Sequence, residues 1–416
     1  MNIAINMYLS TLKQRTGIGN YAYNLMKALS EIVAVKNDDK LYSYAHGKLF
    51  QNLDIENTSS NNIINLILKF LPSKYLYAIP FYIPIREKIL QILNKSKNKQ
   101  NLFSNYKIDI YHEPNFLLEV NENNTNNNTN NNTNNNIKTI ITVHDLSIFD
   151  VPETHPKHRV EFVTKNLEKS LNKADKIICD SEFTKQRLLH YFPQTKSKSK
   201  VIYLGVENKF MPLANLLKAD EANHKENANN IFLQQYNLKS QSYILSVGTL
   251  EPRKNILTLI NAFLQLPNNL QQKFPLVIIG QRGWLDDNII NKINALVNQQ
   301  KLYFLNYVSD SDLIRLYANA KVFCYPSIYE GFGLPPLEAM ASGIPVITSN
   351  SSSIPEVVGE NSLMHESQND LQLKQHLYNV LNDENLHKQL SEYSINRSKL
   401  FSWNKTAEQT LQVYKE

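Results

Sequence analysis

The sequence predicts an α/β protein built from two Rossmann-like domains that face each other across a cleft. Short runs rich in Val, Ile and Leu alternate with longer helical patterns along the whole chain. Those runs lack polar alternation, which marks strands buried on both faces, as in parallel sheets. At 416 residues, with 42% hydrophobic and 20% charged residues, the chain can fill two ordinary cores.

In the first half the strand runs are NIAINM (2–7), IDIYH (108–112), TIITVHD (139–145), KIICDS (176–181) and KVIYLG (200–205). The second half offers YILSVG (243–248), PLVIIG (275–280), LYFLNY (302–307), KVFCYPS (321–327) and IPVITS (344–349). Helical patterns such as NILTLINAFLQL (255–266) and SDLIRLYANA (311–320) supply the crossovers. Between the halves, LKADEANHKENANN (217–230) is polar and charged and reads as a linker or an exposed helix. The expected division is a first domain over 1–205, a linker over 206–240 and a second domain over 241–395. The tract NNTNNNTNNNTNNN (123–136) has nothing to bury, so 121–136 is expected to be a disordered surface loop.

Composition narrows the function classes. A formal net charge of +6 is modest for this length and implies no nucleic-acid partner. The only two cysteines, Cys179 and Cys324, sit in apolar strand runs. They fit buried, reduced thiols in a cytosolic protein and exclude a disulfide framework or a Cys-based zinc site. The opening MNIAINMYLS has no basic n-region and no small-residue cleavage site, so it reads as a first strand.

Chemistry concentrates at strand ends. YEGFGLPPLEA (329–339) puts Glu330 just past a strand and Glu338 about one turn into a helix that Pro335 and Pro336 open. Gly331 and Gly333 permit close backbone approach, and the helix N-terminus offers N–H groups to an anion. Two carboxylates so placed can hold two hydroxyl-bearing parts of one ligand, with an anion between them. In VGTLEPRKN (247–255), Arg253 and Lys254 are adjacent between strand and helix, where they can bind phosphate. TGIGNYAYNL (16–25) matches G-x-G-x-x-A through Gly17, Gly19 and Ala22, but LSTLKQR separates it from the strand, which rejects a dehydrogenase. TVHDLS (142–147) sets His144 and Asp145 at another strand end, where the His is catalytic or structural. DSD (310–312) resembles a metal-binding pair but precedes a helix, so capping by Ser309 or Asp310 is the better reading.

Taken in order, TGIGNYAYNLMKAL, TVHDLSIFDVPETHP, ICDSEFTKQRL, VGTLEPRKN, GQRGWLDD and YPSIYEGFGLPPLEAMASGIPVITSNSSSIPEVVG resemble successive blocks of the family-4, group 1 retaining glycosyltransferases of the GT-B fold. Glu330 and Glu338 match that family's E-x7-E motif. The resemblance implies that Glu330 contacts the donor sugar near the reacting carbon and that Glu338 holds the nucleotide ribose. It places the donor diphosphate near Gly331, Phe332, Gly333 and Leu334 and against Arg253 and Lys254, with Val308 also on the donor side. His144 would touch the donor sugar, and Gly17 and Gly19 would line the sugar-phosphate and acceptor region. Arg253 and Lys254 would neutralise the departing nucleoside diphosphate, so no metal site and no cofactor is expected. Thr249 stands where many relatives carry Arg, and Asn306 where many carry Gly. The subgroup with the most similar blocks uses GDP-mannose as mannosyl donor. FSWNKTAEQTLQVYKE (401–416) resembles a C-terminal helix, within 396–416, that crosses back onto the first domain.

The stretch 63–99 is apolar, aromatic and basic, with seven Lys or Arg against one acid between Lys69 and Lys99. Prolines interrupt it, so it cannot span a bilayer. Two readings stand: an interfacial patch on anionic lipid, or core helices with solvated lysines. The first implies a polyprenyl-diphosphate-linked saccharide acceptor and a cytoplasmic enzyme resting on the inner face of the plasma membrane. The rival readings are a GT-B synthase or phosphorylase acting on soluble sugars and a glycan-binding protein without activity.

Overall fold

The computed structural model describes residues 1–11, 17–36, 39–45, 47–53, 97–118, 137–219, 225–284 and 287–416. The Asn-rich tract and nearly all of the basic stretch 63–99 lie outside the described residues. The apolar runs pair into two sheets. The first contains β1 (Asn2–Asn6), β2 (Lys40–Ala45), β3 (Lys48–Gln51), β4 (Ile110–Glu113), β5 (Lys138–Val143), β6 (Lys176–Cys179) and β7 (Ser199–Val201), in the order β3-β2-β1-β4-β5-β6-β7. All of its neighbours are parallel except β3, which runs antiparallel to β2.

The second sheet contains β8 (Ile244–Val247), β9 (Leu276–Ile279), β10 (Leu302–Leu305), β11 (Val322–Tyr325), β12 (Val346–Ser349) and β13 (Leu363–His365), in the order β10-β9-β8-β11-β12-β13. It is parallel throughout. Both sheets therefore reverse their strand order beside their first strand, between β1 and β4 and between β8 and β11. Loops leaving the carboxyl ends at such a reversal part to form a crevice.

Three strands are additions to the ten runs read from the sequence. In β2 the apolar pattern is broken by Ser43, which is nonetheless buried, its hydroxyl turned onto the carbonyl of Asn52. β3 is the antiparallel edge, and β13 is only three residues long. The polar stretch 217–230 includes the end of the helix Leu213–Ala219 and the start of the helix Lys225–Gln234. Phe232 and Leu233 of the latter are buried with Leu316 and Tyr317 in the second domain's core.

The helix Trp403–Lys415 starts at Ser402, whose hydroxyl accepts the N–H of Lys405 at 3.2 Å. Its Trp403, Ala407, Leu411 and Tyr414 are buried with Ile3, Ile5 and Leu25 of the first domain. The C-terminal helix thus crosses back, and burial of its apolar face on the first sheet's helix Gly17–Lys36 holds it there. Among the described residues no helix is long and apolar enough to cross a membrane.

Candidate active site

The strand reversal of the second sheet sets the site. The loop after β8 carries Arg253 and Lys254 in one tight helical turn, Pro252–Lys254. The loop after β11 carries Glu330. The amide of Ile328 donates to the carbonyl of Arg253 at 2.8 Å, which ties the two loops together.

Glu330 is 7% exposed and fully engaged. Its Oε1 accepts from Lys254 Nζ at 2.5 Å, Ser327 Oγ at 2.6 Å and the Tyr325 hydroxyl at 2.8 Å. Its Oε2 faces Arg253 NH1 at 3.2 Å. Burial pushes this carboxyl up, but Lys254, Arg253 and the donated hydrogen bonds outweigh it and hold the group at about 2. Arg253 also donates through Nε to Glu251 at 2.9 Å and through NH1 to the carbonyl of Tyr329 at 3.0 Å. Two cations and two carboxylates thus share a largely buried crevice, where charge interacts more strongly than in water.

Downstream, Gly333 adopts a left-handed conformation (φ 117°) at the N-cap of the helix Leu334–Ala341, and Pro335 and Pro336 occupy its first turn. A side chain at Gly333 would be strained there. Gly331 is required for a different reason from ligand approach. A Cβ on it would lie 1.8 Å from the carbonyl oxygen of His144, so the close approach is between the two domains. Phe332 turns away from the cations into an aromatic cluster with Tyr203 and Phe401, at centroid distances of 6.0 and 5.8 Å, and Leu334 packs against the same cluster. Val308 is buried in the second core beside Leu316 and Tyr317. Glu338 stands apart from Glu330, held by the Tyr317 hydroxyl at 3.0 Å. Burial pushes its carboxyl up to about 7. At 309–312 the Ser309 hydroxyl caps the helix Asp310–Ala318 by accepting the Asp312 N–H at 3.1 Å.

The first domain brings β5's end to the crevice. His144 Nδ1 lies 2.6 Å from Asp180 Oδ2, and Nε2 lies 2.9 Å from the carbonyl of Pro114. A carbonyl only accepts, so Nε2 carries a proton toward Pro114, while Nδ1 faces Asp180, whose carboxyl burial pushes up. Burial lowers the imidazole's pKa, but Asp180 and the carbonyl more than reverse this and raise it. Asp180, at the end of β6, escaped the sequence reading. It lay in the quoted block ICDSEF, and its place at a strand's carboxyl end was the available signal. Gly17 is exposed at the first turn of its helix, while Gly19 is buried with its carbonyl bound by Ser10 Oγ at 2.9 Å. The next residue but one, Tyr21, packs edge-on against the His144 ring at 4.9 Å, which links this helix to the crevice.

Two Rossmann-like sheets meet at their carboxyl edges over this cluster. The family profile described as Glycosyltransferase Family 4 matches residues 15–210, and that described as Glycosyl transferases group 1 matches residues 229–397. The O-antigen chain mannosyltransferase B of Escherichia coli is 33% identical over 406 residues, covering 96% of each chain. The O-antigen chain mannosyltransferase RfbU of Salmonella typhimurium is 26% identical over 331 residues, 79% of this chain and 77% of its own. Among solved structures, sucrose-phosphate synthase from Thermosynechococcus elongatus aligns with a TM-score of 0.68 at 20% identity, covering 100% of this chain and 98% of its own. The chain belongs to the family-4, group 1 glycosyltransferases.

Proposed function

We propose that the chain transfers a mannosyl unit from GDP-mannose to a saccharide acceptor in the assembly of a lipopolysaccharide O-antigen. The observation that carries this reading is the convergence of Arg253, Lys254 and Glu330 where the second sheet reverses its strand order. The sugar is argued from the mannosyltransferases this chain resembles over nearly its full length.

In this reading the donor diphosphate lies against Arg253 and Lys254, competing with Glu330 for their protons. As the anomeric C–O bond breaks, negative charge grows on the departing nucleoside diphosphate, and the two cations stabilise it. The acceptor hydroxyl forms the new glycosidic bond and gives its proton to a leaving phosphate oxygen. Glu330, ionised at any physiological pH, stabilises the positive charge that develops at the sugar carbon. Glu338 binds the ribose hydroxyls, and His144, its nitrogens held by Asp180 and the Pro114 carbonyl, contacts the sugar from the first domain.

The acceptor in this reading is lipid-linked, carried on a polyprenyl diphosphate at an anionic membrane surface. The support is the basic, aromatic stretch 63–99, since a basic residue near such a surface contributes up to about 1 kcal/mol. Lys99 is withdrawn from that set, since its ammonium lies 4.3 Å from the centre of the Tyr111 ring and 4.9 Å from that of Tyr44. The deciding experiment incubates the protein with a panel of nucleotide sugars and measures binding and slow donor hydrolysis. GDP-mannose should be preferred; equal or better use of a uridine nucleotide sugar would overturn the donor. In a flotation assay, replacing Lys74, Lys88 and Lys95 with Gln should release the protein from anionic vesicles. Unchanged partitioning would overturn the membrane contact.

A further inference from the structure

The three residues Tyr329, Glu330 and Gly331 divide their contacts in an unusual way. Glu330 faces its own domain's cations, while both neighbours grip the other domain. The Tyr329 hydroxyl donates to Asp150 Oδ2 at 2.7 Å, and the Gly331 carbonyl accepts from Ser181 Oγ at 2.7 Å. Asp150 is a prepared anchor. The helix Glu182–Tyr191 supplies it with Arg187 Nε at 2.9 Å, Arg187 NH2 at 2.5 Å and the Tyr191 hydroxyl at 2.8 Å. Its carboxyl is held below the usual range by these donors against the opposing effect of burial. Tyr329 is 4% exposed, and its ring packs against Phe183 at 5.4 Å. Its carbonyl is the acceptor of Arg253 NH1. A shift of Tyr329 therefore moves both Arg253 and the backbone of Glu330.

We propose that Tyr329 is a positioning residue: its bond to Asp150 closes the first domain onto the Glu330 loop and sets Arg253 and Glu330 for transfer. The proposal rests on the reading of this crevice as the transfer site. It follows from the chemistry of the anchor. Asp150 is already immobilised by three donors of its own domain, so the Tyr329 hydroxyl meets a fixed target and little reorganisation is needed on closure. The bond is charge-assisted and largely buried, which makes it stronger than a surface hydrogen bond. Opening the domains must break it.

The test uses the full chain and the variant Tyr329→Phe, which keeps the ring packing and leaves Asp150 with its three remaining donors. Loss of one such bond should raise the ratio of open to closed molecules about tenfold. Trp284 reports this without any substrate, because its indole N–H donates across the domains to the carbonyl of Thr154 at 2.7 Å. The other tryptophan, Trp403, is buried. Acrylamide quenching of the unliganded protein should rise in Tyr329→Phe while circular dichroism shows it still fully folded. Turnover should fall about tenfold or more, while affinity for GDP, measured by calorimetry, should fall less than turnover, because both cations keep their charge and only their placement changes. Asp150→Asn should act in the same direction, and the double variant should be no worse than the worse single one. Wild-type quenching in Tyr329→Phe, or additive losses in the double variant, would overturn the proposal. Increased quenching in a protein that binds no nucleoside diphosphate would uphold the closure contact and overturn the transfer-site reading.

Discussion

The carboxyl edges of the two sheets share a topology and differ in chemistry. Each lies where the strand order reverses beside a first strand. The second edge presents Arg253 and Lys254 between two carboxylates, Glu330 and Glu251; the first presents His144 between Asp180 and a backbone carbonyl, with Asp145 acting on the same imidazole. The two cations of the second edge are the groups proposed to hold the donor diphosphate. The other offers carboxylates and a hydrogen-bonded imidazole, groups that can bond to hydroxyl-bearing ligands. The same fold thus acquires two binding characters through its loops alone.

The largest effect should come from breaking the cationic edge. Arg253→Ala with Lys254→Ala should abolish transfer and weaken GDP binding by about a hundredfold or more, since each charge-assisted contact contributes about 1.5–3 kcal/mol. The matching change at the first edge, His144→Ala, should leave GDP affinity within about threefold. Calorimetry on both variants decides the comparison, and equal losses would erase the distinction between the edges.

Glu330→Gln should come next, lowering turnover about a hundredfold with little change in donor binding, as expected for a group that acts mainly on charge developed in the transition state. Steady-state kinetics showing a raised KM at normal turnover would exchange its role with that of Glu338. A smaller effect belongs to Asp180→Asn. Loss of the carboxylate removes what raises the His144 pKa, so NMR titration should find that imidazole shifted downward, with turnover reduced about tenfold.

The finest test is pH. Glu338 sits at about 7 because burial penalises its charge, whereas ribose hydroxyls donate best to the ionised form. Nucleotide affinity should therefore rise as pH increases from about 6 to 8, and Glu338→Gln should bind weakly with a flat profile. Stability follows opposite signs at the two glutamates. Glu338, raised from 4.5 to about 7, costs stability as pH rises across that window. Glu330, lowered from 4.5 to about 2, contributes stability above 4.5 that is lost as pH falls toward 2. Denaturant unfolding of Glu338→Gln and Glu330→Gln across pH separates them: the first variant should gain on wild type near neutrality, the second should lose.

Much of the site was legible because strand ends are legible. A continuous apolar run followed by Gly, Pro and charged residues identifies a parallel strand and its functional loop, which is how Glu330, Arg253, Lys254 and His144 stood out. The strand β2 was harder, since Ser43 interrupts its pattern and only pairing with β1 explains its burial. Asp180 showed only its place at a strand's end, and Asp150 was invisible, for another reason. Their roles depend on His144 and Tyr329, 36 and 179 residues away along the chain, and no local pattern encodes such a partner.

By itself the sequence determined the two parallel sheets, the helix opened by Pro335 and Pro336 and the family of the chain, because burial periodicity, backbone restriction and motif spacing are properties of neighbouring residues. Tertiary structure alone decided which charges meet. It set Lys254 and Arg253 on Glu330, both nitrogens of His144 on its own domain, Phe332 into an aromatic cluster and Gly331 against a carbonyl of the opposite domain. The physical reason is range. Helices and strands answer to residues a few positions away, whereas hydrogen bonds and ion pairs form wherever the fold brings donors and acceptors within about 3 Å.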